Sequence, residues 1–143
     1  MNAEVFVDTN VLLYAVSSDL AEGAKARRAR EILGREDFGV SAQVLQELFV
    51  NATQKIRTRL TDQEALEFID IISLAPIVPI DLALVVEAAG YEARFRISYW
   101  DGAIVAAAHA LGASVLYTED LNDGQVYGDV RVENPFRSSG RAR

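Results

Sequence analysis

Four acidic residues spread along the chain, Asp8, Glu47, Asp101 and Asp120, have the types and settings to do chemistry. Asp8 ends the apolar run Val5-Phe6-Val7 and is followed by Thr9-Asn10, two more oxygen-bearing side chains. Asp101 follows Ser98-Tyr99-Trp100 and opens an alanine-rich run to Ala110; Asp120 follows Val115-Leu116-Tyr117-Thr118-Glu119. Carboxylates brought together repel until a cation neutralises them, and hard oxygen donors select Mg²⁺, Mn²⁺ or Ca²⁺. Convergence of the four would make a metal-dependent enzyme acting on phosphate.

Each residue also has a purely structural use. Asp8 suits the N-cap of a helix starting at Asn10. Asp101 is the third residue after Ser98, as in a capping box. Glu47, flanked by Val44, Leu48 and Val50, belongs at the rim of a helix's buried face. The loop from Thr118 to Gly124 holds more acid than a turn requires. Spacing leaves both Asp120 and Asp123 as candidates to contact metal, Asp120 first, and Glu119 reads as solvated. Thr118 either hydrogen-bonds a ligand carboxylate or metal-bound water, or simply ends its strand. His109 reads as a packed helix residue. Tyr99 and Trp100 either stack on a base or wedge the helix start against the core.

The elements must bring these positions together. Glu4 to Asp8 reads as a short buried strand. Asn10 to Val16 and Ala21 to Leu33 read as helices, the second stopped by Gly34. Phe38-Gly39-Val40 is the next strand. Ser41 caps a helix to about Thr58, in which Leu45, Phe49, Ala52 and Ile56 are expected to face the core. Thr61-Asp62-Gln63-Glu64 has a capping-box pattern, predicting a helix to about Ser73. Pro76 and Pro79 bound a short extended segment. Further helices are expected from Asp81 or Leu82 to Arg94 and from Ser98 to Leu111, the latter closed by Gly112. Ala113 to Thr118 and Val130 to Val132 complete the strands. Strands separated by helices imply an α/β fold, a parallel sheet covered on both faces. Ligands bind such sheets outside the carboxyl ends of the strands, where Asp8 and the segment Thr118–Asp120 both fall. Residues 1–136 read as one domain, and residues 137–143, lacking an apolar anchor, as a disordered C-terminal tail.

Composition narrows the class. The chain has 143 residues, 50% hydrophobic and 24% charged, as expected of a soluble globular domain. It has no cysteine and one histidine, which leaves Ser–His and Cys–His nucleophiles without support. No Gly-rich phosphate-binding loop is present. A net charge of −7 opposes binding nucleic acid through a broadly basic surface, yet a bound metal would supply positive charge where a phosphate sits. The basic groups Lys25 with Arg27, Arg28 and Arg30, Arg57 with Arg59, and Arg94 with Arg96 read as solvated helix faces or C-terminal turns. The start of the chain has no signal-peptide pattern. Its longest apolar stretch, Ala103 to Leu111, is far short of the ~20 residues a membrane span needs. A phospho-acceptor signalling domain would need a lysine from a late strand, whereas Lys25 and Lys55 both lie on early helices.

The ordered set Val7-Asp8-Thr9-Asn10-Val11-Leu12, Glu47, Trp100-Asp101 and Thr118-Glu119-Asp120-Leu121 resembles the PIN-domain ribonucleases. More narrowly it is similar to the VapC-like toxins of type II toxin–antitoxin pairs, many of which finish much as Glu133-Asn134-Pro135-Phe136 does. The resemblance spans residues 4–136. It implies a PIN-like three-layer α/β/α sandwich with a central, mainly parallel sheet, and an endoribonuclease dependent on Mg²⁺ or Mn²⁺ that hydrolyses RNA by metal-activated water. By carry-over, Asp8 and Asp101 are the core metal ligands, Glu47 and Asp120 complete the acidic pocket, and Thr9 or Thr118 assists by hydrogen bonding. The resemblance further implies a homodimer, a cognate antitoxin whose C-terminal segment occludes the active site, and a cytoplasmic setting. Many relatives place Asp-Phe in the loop after the last catalytic strand; here Asp123 precedes Gly124-Gln125, so the roles of Asp120 and Asp123 stay open. The alternative is a PIN-like interaction module that has lost catalysis, against which the intact set of four acids speaks.

Overall fold

The computed structural model describes residues 2–35 and 37–137. Its elements run β1 (Val5–Val7), α1 (Thr9–Val16), a 3₁₀ turn (Leu20–Glu22), α2 (Gly23–Leu33), β2 (Phe38–Ser41), α3 (Ala42–Gln54), α4 (Asp62–Ile72), β3 (Ile77–Val78), α5 (Leu82–Phe95), α6 (Tyr99–Leu111), β4 (Val115–Tyr117), β5 (Val126–Tyr127) and β6 (Val130–Glu133). The sheet order is β3-β2-β1-β4-β6-β5. Its ladders are parallel except for the β5–β6 hairpin, which turns through Gly128 at φ 61°. β1, buried at all three residues, pairs with β2 on one side and β4 on the other, so the first strand of the chain is central. Strands buried on both faces read as continuous apolar runs, which is how β1 was recognisable.

Helices complete a three-layer α/β/α sandwich. α6 lies across β1, β2, β3, β4 and β6, with α5 packed along it, while α2, α1, α3 and α4 pack on one another in that order. α6 is buried from Gly102 to Ala108, and its small side chains permit close approach. A Cβ on Gly102 would stand 2.6 Å from the Ala88 carbonyl oxygen, so only glycine lets α5 come this near. Polar side chains set the helix starts. Asp8, Ser41, Asp81 and Ser98 cap α1, α3, α5 and α6, and Thr61 with Glu64 makes a full capping box on α4. Gly112, at φ 81°, ends α6 in the left-handed conformation.

Several expectations need correction. α3 stops at Gln54 rather than Thr58. The Asn51 carbonyl accepts from both Lys55 and Ile56 N–H, and the Leu60 N–H returns to Ala52, folding the chain back. Its deepest stripe is Val44, Leu48 and Ala52, so Leu45 and Ile56 pack only at the edge of the core. Ala21–Leu33 splits into a 3₁₀ turn and α2, and β5 is an unforeseen strand. Of the tail expected over 137–143, all but Arg137 lies outside the described residues.

Candidate active site

The four acids are delivered to the carboxyl edge of the parallel strands. Asp8 leaves β1; Thr118 and Asp120 leave β4, paired with β1 so that Val7 faces Tyr117. β2 ends at Ser41, the cap of α3, which carries Glu47 within its first two turns. Asp101 lies in the first turn of α6, its N–H donating to Ser98 Oγ at 3.0 Å.

Asp8 is innermost, 7% exposed. Its Oδ1 accepts from the Thr9 N–H at 2.7 Å and its Oδ2 from Thr118 Oγ1 at 2.8 Å. The buried Thr118 hydroxyl accepts in turn from Asn10 Nδ2 and from the Asp120 N–H, each at 3.1 Å. Asn10 Nδ2 also donates to Asp120 Oδ2 at 3.2 Å, while Asn10 Oδ1 accepts from the Glu119 N–H at 3.4 Å. On the other side Thr9 Oγ1 donates to Glu47 Oε1 at 2.8 Å. The buried Gln43 donates from Nε2 to Glu47 Oε2 at 3.3 Å and to the Trp100 carbonyl at 3.4 Å. One hydrogen-bonded network therefore runs from Trp100 through Glu47 and Asp8 to Asp120.

The electrostatics bring Asp101 into the same group. Burial pushes the Asp8 carboxyl from 3.8 up to about 7; bonds from Thr118 and Thr9 oppose the rise, and the charges of Asp120 and Glu47 add to it. Asp101 is also raised, first by burial, against the Ser98 hydroxyl, and then by Asp120 and Glu47. The charged groups acting on both residues are all carboxylates. Such uncompensated hard-oxygen donors suit a hard divalent cation. Among the described residues no three acidic or imidazole side chains are gathered closely enough to enclose an ion. The fit lies in the donors' chemistry and uncompensated charge, not in a closed shell.

Other sequence readings fare differently. Asp123 is engaged toward the end of the chain, its Oδ1 accepting from the Asn134 N–H at 2.7 Å and its Oδ2 lying 3.7 Å from Arg137 Nε. Glu119 is not simply solvated: its oxygens accept from Tyr14 OH at 2.6 Å and Lys25 Nζ at 3.1 Å, bracing the β4 loop against α1 and α2. Lys25 lies over the rings of Tyr14 and Phe136, so that group of basic residues is more than a solvated face. His109 is exposed on α6 and lies 2.7 Å from Glu87 of α5, while Ala108 and Leu111 of the same turn are the buried ones. Trp100 is 65% exposed and does not wedge α6 against the core. Sequence reasoning did not single out Gln43; its position one turn before Glu47 was the available signal.

Comparison with known proteins gives the same architecture. A chain of a toxin–antitoxin complex from Klebsiella pneumoniae superposes with a TM-score of 0.70 at 18% identity, over 94% of this chain and 99% of that one. VapC20 of Mycobacterium tuberculosis, described as a sarcin–ricin loop cleaving toxin, gives 0.63 at 19% identity over 89% and 98%. VapBC2 from Rickettsia felis, bound to a fragment of its promoter DNA, gives 0.62 at 16% identity over 90% and 96%. No curated protein matches by sequence. The family model of the PIN domain matches residues 5–127, from the first residue of β1 to the last of β5, and the chain belongs to the PIN domain family.

Proposed function

We propose that the protein is a metal-dependent endoribonuclease and the toxin of a toxin–antitoxin pair. The observation that carries this reading is the hydrogen-bonded network that links Glu47, Asp8 and Asp120 at the strand edge, with the charges of Glu47 and Asp120 acting on both Asp8 and Asp101. Toxin–antitoxin complexes among the structural neighbours support the biological setting. The partners on this reading are an RNA substrate, a cognate antitoxin that occludes the acidic pocket, and a second copy of the chain.

Asp8 and Asp101, with Glu47 and Asp120, would hold Mg²⁺ or Mn²⁺. The ion, when bound, acidifies water for attack on phosphorus and neutralises charge on the phosphate. The protein's own part is positioning. Thr118 and the Thr9 N–H fix the Asp8 carboxylate, and Asn10 fixes Asp120. Thr9 and Gln43 clamp the two oxygens of Glu47, leaving it oriented to receive a proton from the attacking water. Hydrolysis by this route forms no covalent enzyme intermediate and leaves 5′-phosphate and 3′-hydroxyl ends.

A PIN-fold interaction module without turnover is the second reading, favoured by the absence of three closely gathered acidic or imidazole groups among the described residues. One experiment separates them. Purified protein with Mn²⁺ is expected to cut single-stranded RNA, with loss of cutting in EDTA and at least a hundredfold loss in Asp8→Asn and Asp101→Asn, both still folded by circular dichroism. Cleavage that survives EDTA or both substitutions sinks the proposal. Absence of cleavage together with weak Mn²⁺ binding by calorimetry selects the inactive module.

A further inference from the structure

Trp100 is the chain's sole tryptophan and, among the described residues, its only exposed aromatic side chain. Its surface costs hydrophobic free energy that an ordinary helix residue would avoid. Its indole meets the half-buried Tyr99 ring edge to face, centroids 5.0 Å apart and planes at 86°. Its carbonyl accepts from the buried Gln43, whose amide also holds Glu47. Asp101 is the next residue, about 3.8 Å away between Cα atoms. An exposed aromatic residue thus directly precedes Asp101 in the first turn of α6, its backbone carbonyl bonded to the same amide that holds Glu47.

We infer that Trp100 is a stacking platform for an unpaired nucleobase beside the phosphate that is cut. This rests on the ribonuclease reading and deepens it. The charge balance favours a base over other occupants. With a net charge of −7, neutralisation of phosphates contributes little to holding RNA. Stacking on an aromatic face needs no charge, accepts any base, and demands the single-stranded presentation on which RNA recognition commonly relies. It also keeps the strand beside carboxylates that would otherwise repel it. The Gln43 amide ties the Trp100 backbone to Glu47, so a base stacked on the indole would carry its neighbouring phosphate toward the acids.

The sole tryptophan makes the test direct. In EDTA, decamers of adenylate and uridylate are titrated into the full chain while indole emission is followed. At least one is expected to quench it, whereas a decamer of abasic ribose phosphates is not. Trp100→Ala should bind the quenching decamer roughly ten- to hundredfold more weakly by anisotropy, with Trp100→Phe between the two. With Mn²⁺, kcat/KM on that RNA should fall by a similar factor in Trp100→Ala. Equal binding and cleavage by Trp100→Ala, or equal quenching by the abasic decamer, overturns the platform while leaving a nuclease. Base-dependent quenching without any metal-dependent cleavage upholds the platform and overturns the nuclease reading. No quenching by either RNA, with emission that instead changes with protein concentration, overturns the proposal and makes Trp100 a contact between chains.

Discussion

Asp8 is a carboxyl group that folding makes hard to ionise. Unfolded it titrates near 3.8 and folded at about 7, so between these values the native state binds more protons than the unfolded state. Stability of the metal-free protein therefore falls as pH rises from about 4 to 7. The full penalty, on the order of 4 kcal/mol, is reached above the folded value. Asp8→Asn removes that penalty. In EDTA at pH 8 the variant is expected to melt roughly 5 °C or more above the unaltered protein, with the gap closing near pH 4. Mn²⁺ at pH 8 should raise the melting temperature of the unaltered protein and leave the variant's unchanged. Scanning calorimetry reads both; equal melting temperatures at both pH values would remove the idea that the site stores electrostatic strain. The importance of Asp8 was visible in the sequence, because a polar Asp-Thr-Asn set ends an apolar strand. Its partner Thr118 was visible only as a strand end, since the bond between them crosses 110 positions. Glu119 and His109 were misread for the same reason, whereas Gln43 was passed over although it stands one turn before Glu47. Local spacing identifies a residue's own element, while tertiary packing chooses which distant side chain it meets.

At the scale of elements, the placement of Asp101 depends on how closely α5 and α6 approach. Gly102, the residue after Asp101, has the Ala88 carbonyl where a Cβ would sit. Gly102→Ala must push α5 away or tilt the start of α6. The expected cost is roughly 1–3 kcal/mol, read as a lower urea midpoint at unchanged slope. An unaltered midpoint would show that the helices have room to spare. The caps Ser41, Thr61 and Ser98 were legible in advance because each uses a local hydrogen bond that sequence spacing reveals, while Asp81 was expected only as a possible first residue of its helix. The end of α3 was not, since Thr53 and Asn51 bond back to carbonyls one turn earlier while Leu60 closes a turn that no local pattern announces. β5 consists of only Val126 and Tyr127, too short for alternation to show.

At the scale of the molecule, α5 is apolar on two sides. Leu84, Ala88 and Tyr91 are buried, while Leu82, Val85 and Val86 at helical spacing remain exposed, Leu82 at 78% and Val86 at 63%. A helix apolar on opposite faces is usually covered on both. Sedimentation equilibrium at micromolar concentration is expected to give twice the chain mass, and Val86→Glu a single chain mass. Monomers of the unaltered chain at every concentration would sink the homodimer. The central position of β1 has a consequence in time. Its neighbour β4 begins 110 residues later by paired position, Val5 facing Val115, so the strand made first waits for one made nearly last. During synthesis, which releases the N-terminal end first, no product that stops before β4 possesses the edge that carries Asp120 beside Asp8. Nascent chains that end before β4 therefore carry Asp8, Glu47 and Asp101 without the strand that brings Asp120 to them.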